Sequence, residues 1–349
     1  MAQSVDKLTP DDPRVEHHTL EIRGYNWHYL LANPTSGKPT GTVLLVHGWP
    51  DLAFGWRYQV PALLALNMRV IVPDMLGYGR TDAPDDVAEY AQKKLASDLA
   101  ALAAHVVGTD DGGQVVLGGH DWGGAIVWRT ALWRPEFVRA VFSVCTPYGP
   151  PRDQWVPPEV MVETVLPNFR YQLQLAGPDV EAQIVGPVKL RQFLNTLFLG
   201  RTPDGQPGFN TKDGLLFDRL ESIGPSPVLS PEEVEFYVAE YARHGLHGPL
   251  NYYRTHRVNF DDELELAQQG AERTRIKVPS MIVTASRDGA LPPSMAANMD
   301  RHFESLVKRE VDATHWALWE AAGDVNKTYF QVFAESVAEG YREWFCPSS

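Results

Sequence analysis

The segment QVVLGGHDWGG at residues 114–124 decides the fold of this chain. Its first residues are apolar on both faces, as in a strand buried within a parallel sheet, and residues 125–134 continue as an amphipathic stretch. Gly119 and Gly123 flank Asp121 at the turn between the two elements. We expect the strand and the helix to pack too closely there for Cβ atoms, and Asp121 to adopt a strained conformation that exposes its carboxylate.

Similar apolar runs lie on both sides of this segment, and amphipathic stretches such as 91–107 separate them. This alternation predicts an α/β fold with a mostly parallel central sheet and flanking crossover helices. A hairpin is expected over 19–31. The other predicted strands are 43–46, 69–72, 140–144, 280–284 and 305–311, with helices at 292–302 and around 325–344.

The alternation stops between residues 148 and 275, where Pro and Gly punctuate the sequence. A connection of that length inside a compact domain is usually functional. We therefore predict an α/β core in two parts, 1–147 and 276–349, interrupted by a mainly helical lid at 148–275. Helical pieces of the lid are expected near 159–175, 181–198 and 231–243, with an irregular connection around 201–228.

Composition excludes several classes of function. The formal net charge of −13 argues against binding nucleic acid or an anionic membrane, because both require a basic surface. Cys145 and Cys346 are too few for a disulfide framework or a four-cysteine zinc site. The first residues do not show the basic segment and apolar run typical of a secretory signal, and no apolar stretch approaches bilayer length, so we expect neither a signal nor a membrane span. We expect a cytoplasmic protein without membrane insertion, either monomer or homodimer.

A strand, a reactive residue between glycines and a helix form the nucleophile elbow of the α/β-hydrolase fold. The central residue there is usually Ser, whereas here it is Asp121. The first amides of the helix beginning at Trp122 would favour the ionised carboxylate. A tight connection without chemistry, or a phosphate-binding turn, is the competing interpretation, but the spacing matches neither a dinucleotide fingerprint nor a P-loop.

Asp in place of Ser constrains the reaction. A Ser oxygen that attacked a saturated carbon would leave an ether, which a general base cannot readily hydrolyse. A carboxylate that attacked the same carbon would leave an ester, which activated water can hydrolyse. Asp121 therefore favours displacement at saturated carbon followed by ester hydrolysis, and disfavours peptidase, lipase and carboxylesterase activity.

The elbow needs an acid and a histidine later in the chain. Asp288 follows the predicted strand at 280–284, and His315 lies in a loop after the next strand. His315 would take a proton from the attacking water, and Asp288 would orient the imidazole. Asp288 could instead be a turn residue before Gly289. His47, His120 and His302 are competing histidines; we assign His47 to structure and expect His120 to point elsewhere.

The loop after the first long parallel strand, HGWP at 47–50, is where this fold supplies an oxyanion donor. We predict the backbone N–H groups of Trp49 and Trp122 as the two donors. The predicted residues of the substrate pocket are Trp49, Pro50, Trp122, Gln172 and Trp316.

These residues together resemble the α/β-hydrolase epoxide hydrolases, particularly the soluble type. The resemblance begins near residue 18 and covers nearly the whole remaining chain. Mammalian soluble relatives carry an additional N-terminal phosphatase domain, which is expected to be absent here. The motifs are HGWP at 47–50, DMLGYGRTDAP at 74–84, GHDWGG at 119–124, SRDGALPP at 286–293 and ATHW at 313–316.

The resemblance implies two lid tyrosines that grip the epoxide oxygen and donate a proton as the ring opens. NFRYQL at 168–173 resembles the first site and implies Tyr171; GPLNYYR at 248–254 resembles the second and implies Tyr253. The family often has Trp before the second tyrosine, where this chain has Tyr252, so a shift of one residue would change the assignment. The sequence after Tyr171 also departs from the family pattern.

The resulting prediction is conversion of a small apolar epoxide to a vicinal diol, without metal or organic cofactor. A haloalkane dehalogenase is the first alternative, since it shares the elbow and could use the Trp122 indole N–H for halide. Such enzymes commonly carry Asn at the position of Trp49, and paired tyrosines have no halide role. A non-catalytic carrier of an apolar ligand is the second alternative, although it would require neither the triad nor the tyrosines.

Overall fold

An eight-stranded sheet organises the fold. In spatial order its strands are β1 (Glu16–Ile22), β2 (Tyr25–Ala32), β4 (Met68–Pro73), β3 (Gly41–Val46), β5 (Val115–His120), β6 (Val138–Val144), β9 (Ser280–Ala285) and β10 (Leu306–Val311). A computed structural model describes residues 5–35, 37–108 and 110–328. Strands β1 and β2 form an antiparallel hairpin, β2 pairs antiparallel with β4, and the other neighbours are parallel. A small separate hairpin consists of β7 (Phe209–Asn210) and β8 (Gly214–Leu215).

The central strands are buried on both faces, as their continuous apolar sequences predict. Every residue of β3, β5 and β9 is buried, which is the burial expected when helices cover a parallel sheet on both sides. The mostly parallel sheet with flanking helices and the N-terminal hairpin are thus confirmed. The helices of the first part of the chain are α1 (Gln59–Ala65), α2 (Gln92–Val107) and α3 (Trp122–Trp133).

Between β6 and β9 the chain is mainly helical. The helices of this inserted segment are α4 (Pro158–Thr164), α5 (Tyr171–Ala176), α6 (Asp179–Gln183), α7 (Gly186–Leu197), α8 (Pro231–Tyr241), α9 (His247–Asn251) and α10 (His256–Gln268). The helical character of the insertion agrees with the sequence, whereas its proposed limits at 148 and 275 stay a prediction. Helix α11 (Ala317–Glu320) follows β10.

Proline and glycine break two of the predicted lid helices. The helix expected over 159–175 is interrupted where Pro167 opens a short 3₁₀ turn between α4 and α5. The helix expected over 181–198 is interrupted before Gly186, whose φ of 81° lies in the left-handed region. Both interruptions follow from the backbone restrictions of these residues. The prediction at 231–243 is confirmed by α8, and α9 and α10 were not predicted.

The prediction of a helix over 292–302 is wrong. The chain forms two 3₁₀ turns there, Pro293–Ala296 and Met299–His302, and Asn298 between them departs from helical geometry with φ −107° and ψ 19°. Most of the helix predicted around 325–344 lies outside the described residues. Within the described residues, 322–328 are helical. No helix within the described residues combines the length and apolar character needed to cross a bilayer.

The glycine turn has the tight packing predicted from the sequence. A Cβ atom at Gly119 would lie 2.3 Å from Gly123 O, and one at Gly123 would lie 2.0 Å from Val46 O. Both distances are far below van der Waals contact, and backbone atoms cannot move aside as a side chain can. The glycines therefore allow α3 to start directly against β3 and β5.

We predict that Gly123→Ala lowers the free energy of unfolding by about 3 kcal/mol, the upper part of the usual range for overpacking, because the methyl group meets backbone. Chemical denaturation would measure this loss. Gly149→Ala is the matched control, since a Cβ atom at Gly149 has no neighbour within 4 Å. Equal stability of the two variants would contradict this account of the turn.

Candidate active site

Asp121 occupies the turn between β5 and α3 in the strained backbone conformation expected of an elbow. Its φ is 54° and its ψ is −125°, in a region that L-residues rarely adopt. Thr146 Oγ1 donates a hydrogen bond to Asp121 O at 2.7 Å and helps to hold the turn. Asp121 is among the residues that line a cavity in the protein.

The HGWP loop approaches the Asp121 carboxylate closely. Trp49 N–H donates to Asp121 Oδ1 at 2.7 Å. A Cβ atom at Gly48 would lie 2.4 Å from the same oxygen, so glycine is required for this approach. Among the hydrogen bonds of the described residues, no corresponding bond runs from Trp122 N–H to the carboxylate. Of the two predicted donors, Trp49 N–H contacts the carboxylate and Trp122 N–H does not, and the oxyanion role of both stays a prediction.

His315 bridges the two carboxylates that the sequence analysis singled out. Its Nδ1 lies 2.7 Å from Asp288 Oδ2, and its Nε2 lies 3.4 Å from Asp121 Oδ2. Asp288 Oδ1 accepts hydrogen bonds from the N–H groups of Ala290 and Leu291, each at 2.9 Å. Asp288 is therefore more than a turn residue: its carboxylate is fixed by the turn and aimed at the imidazole.

The charges of this group are strongly coupled. Burial opposes the charged form of His315, but the nearby carboxylates of Asp288 and Asp121 dominate and raise its pKa to about 10. Burial also disfavours ionised Asp288, yet the His315 charge and the two backbone N–H groups lower its pKa to about 2. With Asp121 ionised, His315 is therefore an imidazolium at neutral pH, stabilised from both sides.

His120 and Cys145 support the loop that carries His315, a role that the sequence analysis missed. His120 Nε2 lies 2.9 Å from His315 O, and Cys145 S–H donates to the same oxygen at 3.5 Å. A carbonyl oxygen only accepts, so His120 carries its proton on Nε2. Burial and the His315 charge lower the pKa of His120 to about 4. His120 is therefore neutral and positions the loop.

Three potential metal ligands meet at this point: His120, Cys145 and His315 offer atoms within 4.8 Å of one another. Two of these residues already bond to the carbonyl oxygen of His315. The grouping is thus accounted for by the ordering of the His315 loop.

His47 has the structural role assigned to it from the sequence. Met75 N–H donates to its Nε2 at 2.9 Å, and its Nδ1 lies 2.9 Å from Gly48 O. Since Nε2 accepts, Nδ1 carries the proton and closes the loop at Gly48. Burial lowers the pKa of His47, so the ring stays neutral.

A cavity of about 470 Å³ opens beside Asp121. This volume lies in the usual range for small-molecule sites. Its lining is mainly apolar, with Trp128, Trp155 and Phe260 contributing aromatic surface along its length. Much of the cavity wall comes from residues 146–166 and from α10. The sequence did not indicate a binding role for either segment, because the first is rich in proline and the second was not predicted as a helix.

Tyr171 and Tyr253 line the cavity on the side of the inserted segment. Their ring centroids are 6.3 Å apart, and only 6% and 1% of the two residues is exposed. Burial raises the pKa of both phenols. Both hydroxyl groups are therefore protonated at neutral pH and available as hydrogen-bond donors.

The neighbouring Tyr252 points elsewhere. Its hydroxyl donates to Leu76 O at 3.0 Å, and its ring packs between Tyr78 and Tyr90. It is absent from the cavity lining, which includes Tyr253. The geometry therefore agrees with the register that assigned Tyr253 to the site.

The five predicted pocket residues separate into two groups. Trp122 and Gln172 line the cavity, and Gln172 Nε2 lies 3.4 Å from Tyr171 OH. Trp49, Pro50 and Trp316 are not among the described lining residues. Trp49 packs edge-on against Tyr253, while Trp316 lies behind His315 and donates its indole N–H to Leu197 O at 2.9 Å. The two indole rings therefore pack behind the site and do not line the cavity.

Comparison with known proteins places this geometry in a family. The sequence profile of the alpha/beta hydrolase fold matches residues 41–322. Epoxide hydrolase srdG of Neurospora crassa is 44% identical over 335 residues, which cover 93% of this chain and 97% of that protein. Bifunctional epoxide hydrolase 2 of Rattus norvegicus is 34% identical over 91% of this chain, and the match spans 55% of the length of the rat protein.

The fold has counterparts among solved structures. An epoxide hydrolase from Vigna radiata superposes with a TM-score of 0.75 at 27% identity, over 92% of this chain and 98% of that one. Epoxide hydrolase A from Mycobacterium thermoresistibile gives a TM-score of 0.73 at 28% identity. The chain therefore belongs to the α/β-hydrolase fold family and, within it, to the group whose named members are epoxide hydrolases.

Proposed function

We propose that this chain hydrolyses epoxides to vicinal diols through a covalent ester on Asp121. The observation that carries the proposal is that Asp121 and two phenols line one cavity, while a histidine lies against the Asp121 carboxylate. Asp121 is in reach of His315 on one side, and Tyr171 and Tyr253 line the same cavity. The names of the relatives described above support the same activity.

In the first step, Asp121 Oδ2 attacks an epoxide carbon. Trp49 N–H binds the other oxygen, Oδ1, whereas Oδ2 lies 3.4 Å from His315 Nε2. A C–O bond forms between Oδ2 and the substrate, and the C–O bond of the ring breaks. The phenols of Tyr171 and Tyr253 hydrogen-bond to the departing oxygen and supply its proton, for which a protonated phenol is suited.

In the second step, water attacks the carbonyl carbon of the ester while neutral His315 takes its proton. The acyl C–O bond to the substrate then breaks, the departing oxygen takes up a proton to complete the diol, and the Asp121 carboxylate is restored. Ester formation removes the charge of Asp121, one of the two anions that raise the pKa of His315. The pKa of His315 consequently falls as the ester forms, so the imidazolium can release its proton to solvent, which reprotonates the phenols, and the neutral ring can act as a base. Asp288 remains to orient the ring, and Trp49 N–H stabilises the oxyanion.

The inserted segment, taken as 148–275, acts in this proposal as a lid over the cavity. It contributes both phenols and much of the apolar lining. Water exclusion would favour attack by the carboxylate over direct hydration of the epoxide. Dehalogenation is disfavoured for two reasons. The two phenols have no obvious role in the departure of a halide, and the relatives are named epoxide hydrolases.

We expect Asp121→Ala to abolish diol formation from styrene oxide. His315→Gln should still be alkylated but should hydrolyse the ester about 10²- to 10⁴-fold more slowly, the usual contribution of a general base. Intact-mass analysis of His315→Gln after exposure to styrene oxide should then show a retained adduct. An unmodified mass, under conditions in which the wild type turns over, would contradict the ester scheme.

We expect Tyr171→Phe and Tyr253→Phe, combined in one chain, to slow ester formation by about 10²-fold or more, because the departing oxygen loses its proton donors. Rapid quench and mass analysis would measure the rate. Tyr252→Phe is the matched control, since its hydroxyl bonds to Leu76 O outside the cavity lining. Wild-type rates in the double variant would remove both phenols from the mechanism.

The two steps should depend differently on pH. In the free enzyme His315 has a pKa of about 10 and stays protonated through neutral pH. In the ester the pKa of His315 is lower. The rate of ester hydrolysis should therefore rise with pH, with a midpoint well below 10, and reach a plateau above that midpoint. Pre-steady-state measurement of ester decay against pH tests this expectation. A midpoint equal to that of the free enzyme would show that the Asp121 charge does not control His315.

A further inference from the structure

The loop that supplies Trp49 N–H is folded around the side chain of Asp51. Asp51 N–H donates to Gly48 O at 3.0 Å, and Asp51 Oδ1 accepts from Leu52 N–H at 2.8 Å. Gly55 lies so close that a Cβ atom there would be 1.8 Å from Asp51 Oδ2. The position of this carboxylate therefore determines the path of the loop on both sides of it.

A hydrogen bond from the inserted segment reaches the same carboxylate. Tyr237 on α8 donates its hydroxyl to Asp51 Oδ1 at 2.6 Å, although 186 positions separate the two residues in the sequence. Tyr237 and Asp51 are 0% and 1% exposed. Burial raises the pKa of Tyr237 well above its usual value, so the phenol is protonated and is the donor. The bond joins α8 directly to the loop of Trp49.

The ring of Tyr237 is held firmly by its neighbours. Phe198 packs against it with a centroid distance of 5.2 Å, and Phe54 and Trp319 lie at 6.2 and 6.5 Å. Phe198 also packs at 4.7 Å on Trp316, the residue behind His315. The hydroxyl therefore has a defined position, which it can impose on Asp51.

We infer that Tyr237 is a positioning residue of the oxyanion hole: its hydrogen bond to Asp51 fixes the loop that aims Trp49 N–H at Asp121. The inference rests on the proposed function. Negative charge develops beside Trp49 N–H when water attacks the ester, whereas Asp121 loses charge during alkylation. Loss of the Tyr237 hydroxyl should therefore impair ester hydrolysis more than ester formation.

Tyr237→Phe tests this inference, because it removes the hydroxyl and keeps the packed ring. Tyr241→Phe is the matched control on the same helix: Tyr241 is also buried, and its hydroxyl has no hydrogen-bond partner among the described residues. With styrene oxide as probe, quenched-flow and intact-mass analysis give the rates of ester formation and decay.

We expect Tyr237→Phe to hydrolyse the ester about tenfold more slowly, the upper part of the range for one lost hydrogen bond, with ester formation changed less than about twofold. Ester should accumulate at steady state. Tyr241→Phe should match the wild type in both rates. Asp51→Ala removes the acceptor of the same bond and should also accumulate ester, which keeps the inference testable if Tyr237→Phe does not fold.

A purely structural role would give a different result. Tyr237→Phe would then lower the melting temperature and the active fraction while leaving the ratio of the two rates unchanged, and this outcome overturns the inference. If the wild type forms ester and Tyr237→Phe behaves like Tyr241→Phe, the inference fails and the proposed function stands. If the wild type forms no ester and no diol across several epoxides, the proposed function itself fails.

Discussion

The close approach of three backbone segments around Asp121 is the constraint on which the rest of the site depends. The end of β5, the HGWP loop after β3 and the start of α3 meet where Gly48, Gly119 and Gly123 leave no room for Cβ atoms. This packing forces Asp121 into a left-handed conformation and brings Trp49 N–H onto its carboxylate. The position of the Asp121 carboxylate is thus a consequence of packing within the core.

The second constraint is electrostatic. His315 lies between two carboxylates, and its pKa depends on whether both are charged. In the proposed cycle the protein alters that charge itself, because alkylation neutralises Asp121. The same imidazole can then accompany a nucleophile in one step and serve as a base in the next. His120 and Cys145 keep its loop in place through the carbonyl oxygen of His315.

The sequence predicted those features that depend on local pattern. Continuous apolar runs identified the buried strands, and the order of Asp121, Asp288 and His315 identified the residues that meet at their ends. Features that depend on long-range packing were less accessible. Sequence alone could not decide that Tyr252 bonds to Leu76 O while Tyr253 reaches the cavity, or that Trp316 packs behind His315.

Part of the lid was also mispredicted for local reasons. Periodicity suggested two long helices, but Pro167 and the Gly186 conformation divide them. The division matters because it separates α4 from α5, which begins at Tyr171. The hydrogen bond between Tyr237 and Asp51 could not be predicted from the sequence, because the two residues are far apart in the chain and only folding brings them together.

The central claim is that the oxygen added to the substrate comes from Asp121. A single turnover with enzyme in excess over epoxide, run in H₂¹⁸O, tests it most directly. The account predicts a diol without ¹⁸O and a labelled Asp121 carboxylate, because water attacks the ester carbonyl. Incorporation of ¹⁸O into the diol in that first turnover, with Asp121 unlabelled, would show direct attack by water and contradict the account.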